Sequence, residues 1–212
     1  MSSNAEITGR TLWRVVPIGL WVATVIAVFL AVWRYDSLAG SRQTTPVRWP
    51  AASGLTLQSS GTCVMFAHPR CPCTRASLQQ LQDILSGKPN WHSVQVVLFQ
   101  PRSASPDWKH SDIVRTVDQM PRVLPYWDED GRVAALFGAE TSGHVVLYDA
   151  DGRLQFSGGI TGLRGHIGPN LGAESLAAIG RGETAANRST PVYGCSLITP
   201  DSGEKSLCEV AP

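Results

Sequence analysis

Between Arg14 and Arg34 the chain carries no charge, and from Val15 to Trp33 it reads VVPIGLWVATVIAVFLAVW. At a rise of about 1.5 Å per residue, such a run approaches the roughly 20 residues that cross a bilayer as a helix. Trp13 and Trp33 stand at its two ends, where indole rings favour the lipid–water interface. A core helix that is apolar all round rarely finds enough cover at a chain end. A cleaved signal peptide is the nearer rival, but its apolar region runs only about 7–15 residues, and Ser37-Leu38-Ala39 is a weak cleavage site. The run therefore reads as an uncleaved transmembrane anchor over 15–33, behind a short segment 1–14. Charge does not decide its orientation: Arg10 and Arg14 precede it, while Arg34, Arg42 and Arg48 follow, offset by Asp36. The short N-terminal side and the thiol chemistry below favour a single-pass protein of the cell membrane whose C-terminal part lies outside the cytoplasm, on the periplasmic side.

The rest of the 212 residues suffices for one domain. Hydrophobic residues make up 43% and charged residues 17%, which allows a real core and excludes wholesale disorder. A net charge of +1 with no Lys/Arg stripe excludes a nucleic-acid partner. Residues 34–60 mix Ser, Thr, Gly and Pro and read as a linker. The domain is expected over 61–182, and 183–212, with Cys195 and Cys208, as an irregular tail.

The domain opens on a short apolar strand, Cys63-Val64-Met65-Phe66-Ala67. Leu78, Leu81, Ile84 and Leu85 then recur at helical spacing, until Gly87 and Pro89 stop the helix. Val94–Phe99 is a second strand, nearly continuous in apolar residues, as in parallel sheets buried on both faces. Together these make a right-handed βαβ unit. Residues 100–127 are Pro-rich and read as irregular, with a short helix near Asp112–Val117. A short helix is expected over Asp130–Phe137, a hairpin over Val145–Phe156 turning at Asp149-Ala150-Asp151-Gly152, and a last helix over Ala173–Arg181. Asp128-Glu129-Asp130-Gly131 and the hairpin turn lack a full calcium-loop spacing and read as turns.

Between the first strand and its helix lies His68-Pro69-Arg70-Cys71-Pro72-Cys73-Thr74. With Cys71 as N-cap, Pro72 falls at the first helical position, where its missing N–H costs nothing. Helical N–H groups and the helix dipole then favour a Cys71 thiolate, aided by Arg70 and Arg75. Cys73 lies two residues on, away from the face of Cys71, and Thr74 takes the place of a second cysteine in Cys-x-x-Cys. A Cys71–Cys73 disulfide closes a very small, strained ring. The partner of Cys71 is therefore Cys73, a distal cysteine (Cys63, Cys195 or Cys208), or a thiol on another protein. An alternative reading takes His68, Cys71 and Cys73 as ligands of copper(I) or zinc, although a zinc site needs a fourth donor. Buried, inert cysteines are the plain structural alternative.

On these residues the chain resembles the thioredoxin-like superfamily, in particular membrane-anchored, extracytoplasmic thiol-disulfide proteins of the TlpA/ResA kind. The stretches HPRCPCTRASL, GAETSGHVVLYDADGRLQFSGGITGLRGH and TPVYGCSL are similar to those of bacterial proteins labelled RedB. The resemblance implies an α/β fold with a central mixed sheet flanked by helices. It also implies thiol-disulfide oxidoreductase activity on protein thiols or disulfides, and no cofactor. Matching the helix pattern puts Cys71 at the family's first cysteine and Thr74 at its second; a competing register puts Arg70 first and Cys73 second. Gly143 falls where the family has a cis-proline beside the active site, and the acidic residue that often assists proton transfer has no counterpart in 61–70. In this fold the glycine-rich loop 158–172 should end near Cys71, making His166 and Arg164 candidates for proton transfer or thiolate stabilisation. The candidate catalytic residues are thus Cys71, Cys73, Thr74, Arg70, Gly143 and His166. A lone thiolate also leaves a thiol peroxidase open. Cys195 and Cys208 form a candidate disulfide across a surface loop.

Overall fold

The structure is a computed structural model and describes residues 3–91 and 93–197. It divides after Leu38 into two units. The first is a single helix, α1 (Ser3–Ser37). Its stretch Val15–Ser37 is long and apolar enough to cross a membrane, about 35 Å at 1.5 Å per residue. Leu20, Trp21 and Phe29 are among its many exposed apolar side chains.

The second unit holds a five-stranded sheet of β1 (Thr62–Ala67), β2 (Val94–Gln100), β3 (Val123–Glu129), β4 (His144–Tyr148) and β5 (Leu154–Gly159). Their order is β3-β2-β1-β4-β5. β1, β2 and β3 run parallel, and β4 and β5 are antiparallel additions on the other side of β1. Because side chains alternate across a strand, β1 feeds two cores. Met65 and Ala67 face Leu78, Leu81 and Leu85 of α2 (Cys73–Ser86), Val117 of α3 (Asp112–Gln119) and Leu176 of α5 (Leu171–Gly180). Val64 and Phe66 face Phe137, Tyr148 and Ala134 of α4 (Arg132–Leu136). The whole of β1 is buried, as the unbroken apolar run required.

Three segments differ from the sequence reading. The end of the irregular stretch 100–127 and the first two residues of the expected turn 128–131 form β3. Pro125 disguised it, yet proline is tolerated at a sheet edge, and β3 has only β2 as a neighbour. Much of the supposed linker 34–60 lies on the domain: the Trp49 ring packs edge-on to Phe137 and Tyr148, each at 5.3 Å, and the Trp49 backbone N–H donates to Gly152 O (2.8 Å). The described part of the tail also docks. Arg188 O and Pro191 O accept from Ser157 and Gly159 N–H (3.0 and 3.1 Å), covering the outer edge of β5. Val192 and Leu197 are buried. Low hydrophobicity hid both segments, because each is held by backbone bonds and a few anchors.

The two Asp-rich stretches are turns and caps. Asp128 accepts from Val133 and Ala134 N–H (2.9 Å each), capping α4, and Asp149 accepts from Asp151 and Arg153 N–H in the hairpin turn.

Candidate active site

β1 delivers the chain to the sheet's C-terminal edge at His68. A tight turn follows, in which Cys71 O accepts from Thr74 N–H (3.0 Å) and Pro72 O from Arg75 N–H (3.3 Å). The helix proper begins at Cys73, so its cap is Pro72, already at helical dihedrals, and no side chain caps this end. That corrects the expected cap: the Cys71 side chain is not tied to the first helical N–H groups. It is buried and turned toward a different partner.

That partner is Cys195. Its Sγ lies 2.8 Å from Cys71 Sγ, although 124 residues separate the two. The sulfurs of Cys71, Cys73 and Cys195 all lie within 4.8 Å of one another. Cys71 is buried, whereas Cys73 and Cys195 are half-buried.

Backbone pairing places Cys195. Ser142 N–H donates to Cys195 O and Leu197 N–H to Glu140 O, each at 2.8 Å, and Thr141 and Ser196 form an antiparallel bridge. The segment 193–197 thus lies as a short added strand along 140–142. Gly194 permits the approach, since a Cβ there would overlap Ser142 O. Arg164 holds the segment from the other side through Gly194 O.

The electrostatics follow from these donors. The Cys71 thiol is held far below the ordinary range, first by the hydrogen bond from Cys195, then by one from Cys73. Burial opposes them, and the Cys195 backbone N–H and Thr74 hydroxyl add to them. Arg70 and Arg75 are not among these causes: Arg70 lies over the Trp108 ring at 4.5 Å, and Arg75 pairs with Asp112 on the surface. At Cys73 the Cys195 hydrogen bond pulls down. The Cys71 hydrogen bond, burial and the Cys71 charge outweigh it and push the thiol up to about 11. The cluster thus favours the negative charge on Cys71 and the proton on Cys73.

Thr74 is buried, and its hydroxyl shares a 2.7 Å hydrogen bond with Ser142 Oγ. Ser142 Oγ also accepts from His68 N–H (2.9 Å), locking the cysteine turn to the loop before β4. Gly143 has φ +91° and donates its N–H to Phe66 O (2.8 Å). The positive φ is what calls for glycine; a Cβ there would also come within 2.8 Å of Ser77 Oγ, which would have to turn aside. His68 is not grouped with the three sulfurs: its ring stacks on Phe99 (5.6 Å) and its Nδ1 accepts from Arg70 N–H (3.1 Å). Burial lowers its pKa, which favours the neutral ring. Of the glycine-loop candidates, Arg164 reaches the cluster, where its charge acts on Cys73; the His166 side chain is exposed. Cys63 lies in the core, its thiol pushed up by burial. Cys208, the other half of the expected disulfide with Cys195, lies outside the described residues.

Gly143 is marked in the sequence by its place before a strand, whereas nothing local marks Ser142 beside it. Cys195 was one of several distal candidates, and no spacing rule reaches across 124 residues to select it.

No protein-family model matches the chain, and no curated protein matches it. Solved structures do. An uncharacterized conserved protein from Geobacillus kaustophilus aligns with a TM-score of 0.54 and 16% identity, over 78% of this chain and 94% of that one. A hypothetical protein from Sinorhizobium meliloti 1021 aligns at 0.52 and 20% identity, over 77% and 96%. A secreted Mycobacterium tuberculosis disulfide oxidoreductase aligns at only 0.35, with 24% identity over 53% and 80%, a score too low to carry weight. What the first two share with this chain is architecture. With strands ordered β3-β2-β1-β4-β5 and the cysteine turn between β1 and α2, that architecture is the thioredoxin-like fold.

Proposed function

We propose that the protein is a thiol-disulfide oxidoreductase in which Cys71 is the attacking thiolate and Cys195 its intramolecular partner. The observation that carries this is the 2.8 Å approach of the two sulfurs. Acting as a reductant, the Cys71 thiolate attacks one sulfur of a protein disulfide. A mixed disulfide forms, and the other sulfur leaves as a thiolate. Cys195, losing its proton to solvent, then attacks Cys71 Sγ. The S–S bond to the partner breaks, the second partner sulfur departs and takes up a proton, and a Cys71–Cys195 disulfide remains. Two electrons have passed to the partner; run backwards, the same steps oxidise a dithiol. Cys73, protonated and on the same turn, donates a hydrogen bond that keeps Cys71 ionised. Thr74 and Ser142 position the turn. Arg164 fixes the Cys195 segment.

The helix α1 supports tethering to a membrane, and a redox dithiol supports placing the domain on its oxidising, extracytoplasmic side. Trapping in cells tests the assignment. Cys195→Ser should accumulate mixed disulfides between Cys71 and other proteins on non-reducing gels, while Cys73→Ser and the wild type should not. If Cys73→Ser traps partners and Cys195→Ser does not, Cys73 is the resolving thiol and the assignment is overturned.

A further inference from the structure

We infer that, in the reduced protein, Cys71, Cys73 and Cys195 form a three-thiolate site for copper(I). The three sulfurs lie within 4.8 Å of one another. With metal–sulfur bonds of about 2.3 Å, a trigonal centre needs sulfurs about 4 Å apart. The Cys71–Cys195 pair, now at 2.8 Å, would open by roughly 1 Å while the third sulfur is already in reach. Cys195 is half-buried, so this opening is asked of a side chain that the core does not fully enclose.

The donor set decides the metal. Soft thiolates select copper(I) or zinc, and zinc in a protein-only site takes four ligands. Among the described residues, no fourth histidine, cysteine or carboxylate joins the group. The nearest histidine in sequence, His68, is committed to Phe99, Trp108 and the Arg70 N–H. Three sulfurs and no hard donor suit a monovalent ion of low coordination number. Binding releases the thiol protons to solvent and leaves a centre of net charge −2, with the Arg164 guanidinium on the neighbouring Gly194 carbonyl to offset it. The site is shallow, with one buried sulfur and two half-buried ones, which suits an ion passed between thiolate donors. It is also redox-gated: a Cys71–Cys195 disulfide removes two of the three donors.

The site stands or falls apart from the exchange chemistry, because it is read by metal binding and not by turnover. Reduced full-length protein in detergent, under anaerobic conditions, is titrated against copper(I) held by bicinchoninate. The expected result is one copper(I) withdrawn per chain, no withdrawal by the disulfide form, and X-ray absorption with three sulfurs around copper. Cys73→Ser and Cys195→Ser should each weaken binding by more than about tenfold. No withdrawal, two sulfurs instead of three, binding indifferent to Cys195→Ser, or displacement of copper(I) by zinc would each overturn the site. Should a serine variant fail to fold, the sulfur count on the wild-type protein decides.

Discussion

Thr74 stands where a Cys-x-x-Cys motif would carry its second thiol, and its hydroxyl is one of the donors that keep the Cys71 sulfur ionised. Replacing it with valine removes that donor and leaves Ser142 Oγ its bond from His68. A hydrogen bond to a charged group is worth about 1.5–3 kcal/mol, so the Cys71 pKa should rise by about one to two units. Iodoacetamide alkylation measures this if the rate is followed down to about pH 2, because the shifted thiol still titrates well below pH 5. In the wild type the Cys71 rate should stay nearly level from about pH 8 to pH 5, where an ordinary thiol of pKa near 8.5 slows about tenfold per unit. A wild-type rate that falls in the ordinary way would mean that the sulfur donors do not hold the thiolate. The residue names around Cys71 did call for a low pKa, but by way of arginines and the helix end. The donors that act come instead from Cys195 and Cys73, one of them supplied from the far end of the chain.

At the scale of elements, the segment 193–197 behaves as an added strand whose register puts Cys195 on Cys71. Gly194 sets how closely it can lie. Gly194→Ala should push the segment off Ser142 O, at a cost of about 1–3 kcal/mol in stability. It should also slow formation of the Cys71–Cys195 disulfide, followed by mass spectrometry during oxidation with a glutathione buffer. Unchanged oxidation would show that Cys195 reaches Cys71 without this pairing. β1, α2, β2 and the β4–β5 hairpin were legible because each carries its own apolar period and turn residues. β3 was not, because Pro125 and the flanking polar residues hide an edge strand that one neighbour stabilises. The strand 193–197 has no period of its own; its bonds are to a loop more than 50 residues away.

For the whole molecule, His144 is one of the groups that link folding to acid. It is fully buried, with Nε2 bonded to Ser157 Oγ (2.9 Å), and its pKa is lowered to about 3, chiefly by burial and then by Arg42. The unfolded chain binds this proton near pH 6.5, whereas the folded one does not until about pH 3. Stability should therefore fall as pH drops from about 6.5 toward 3, by up to about 1.4 kcal/mol per unit from this group. His144→Phe keeps the ring and leaves Ser157 Oγ bonded to Thr45 (2.6 Å). Chemical denaturation in a Cys71→Ser background, where the thiolate no longer contributes, should show a flatter acid limb for the histidine variant. An identical slope would place the acid sensitivity elsewhere.

By itself the sequence determined the long apolar helix, the βαβ start and hairpin, and the cysteine turn between a buried strand and its helix. All of these are local: each depends on periodicity or on residues a few positions apart. Only the tertiary structure decided which thiol faces Cys71, that Ser142 braces the turn, and that Arg164 rather than His166 reaches the cluster. Those choices rest on backbone pairing between 140–142 and 193–197 and on the close approach that Gly194 permits. Backbone hydrogen bonds look the same for every residue, so a sequence leaves no mark of which distant segment will supply them.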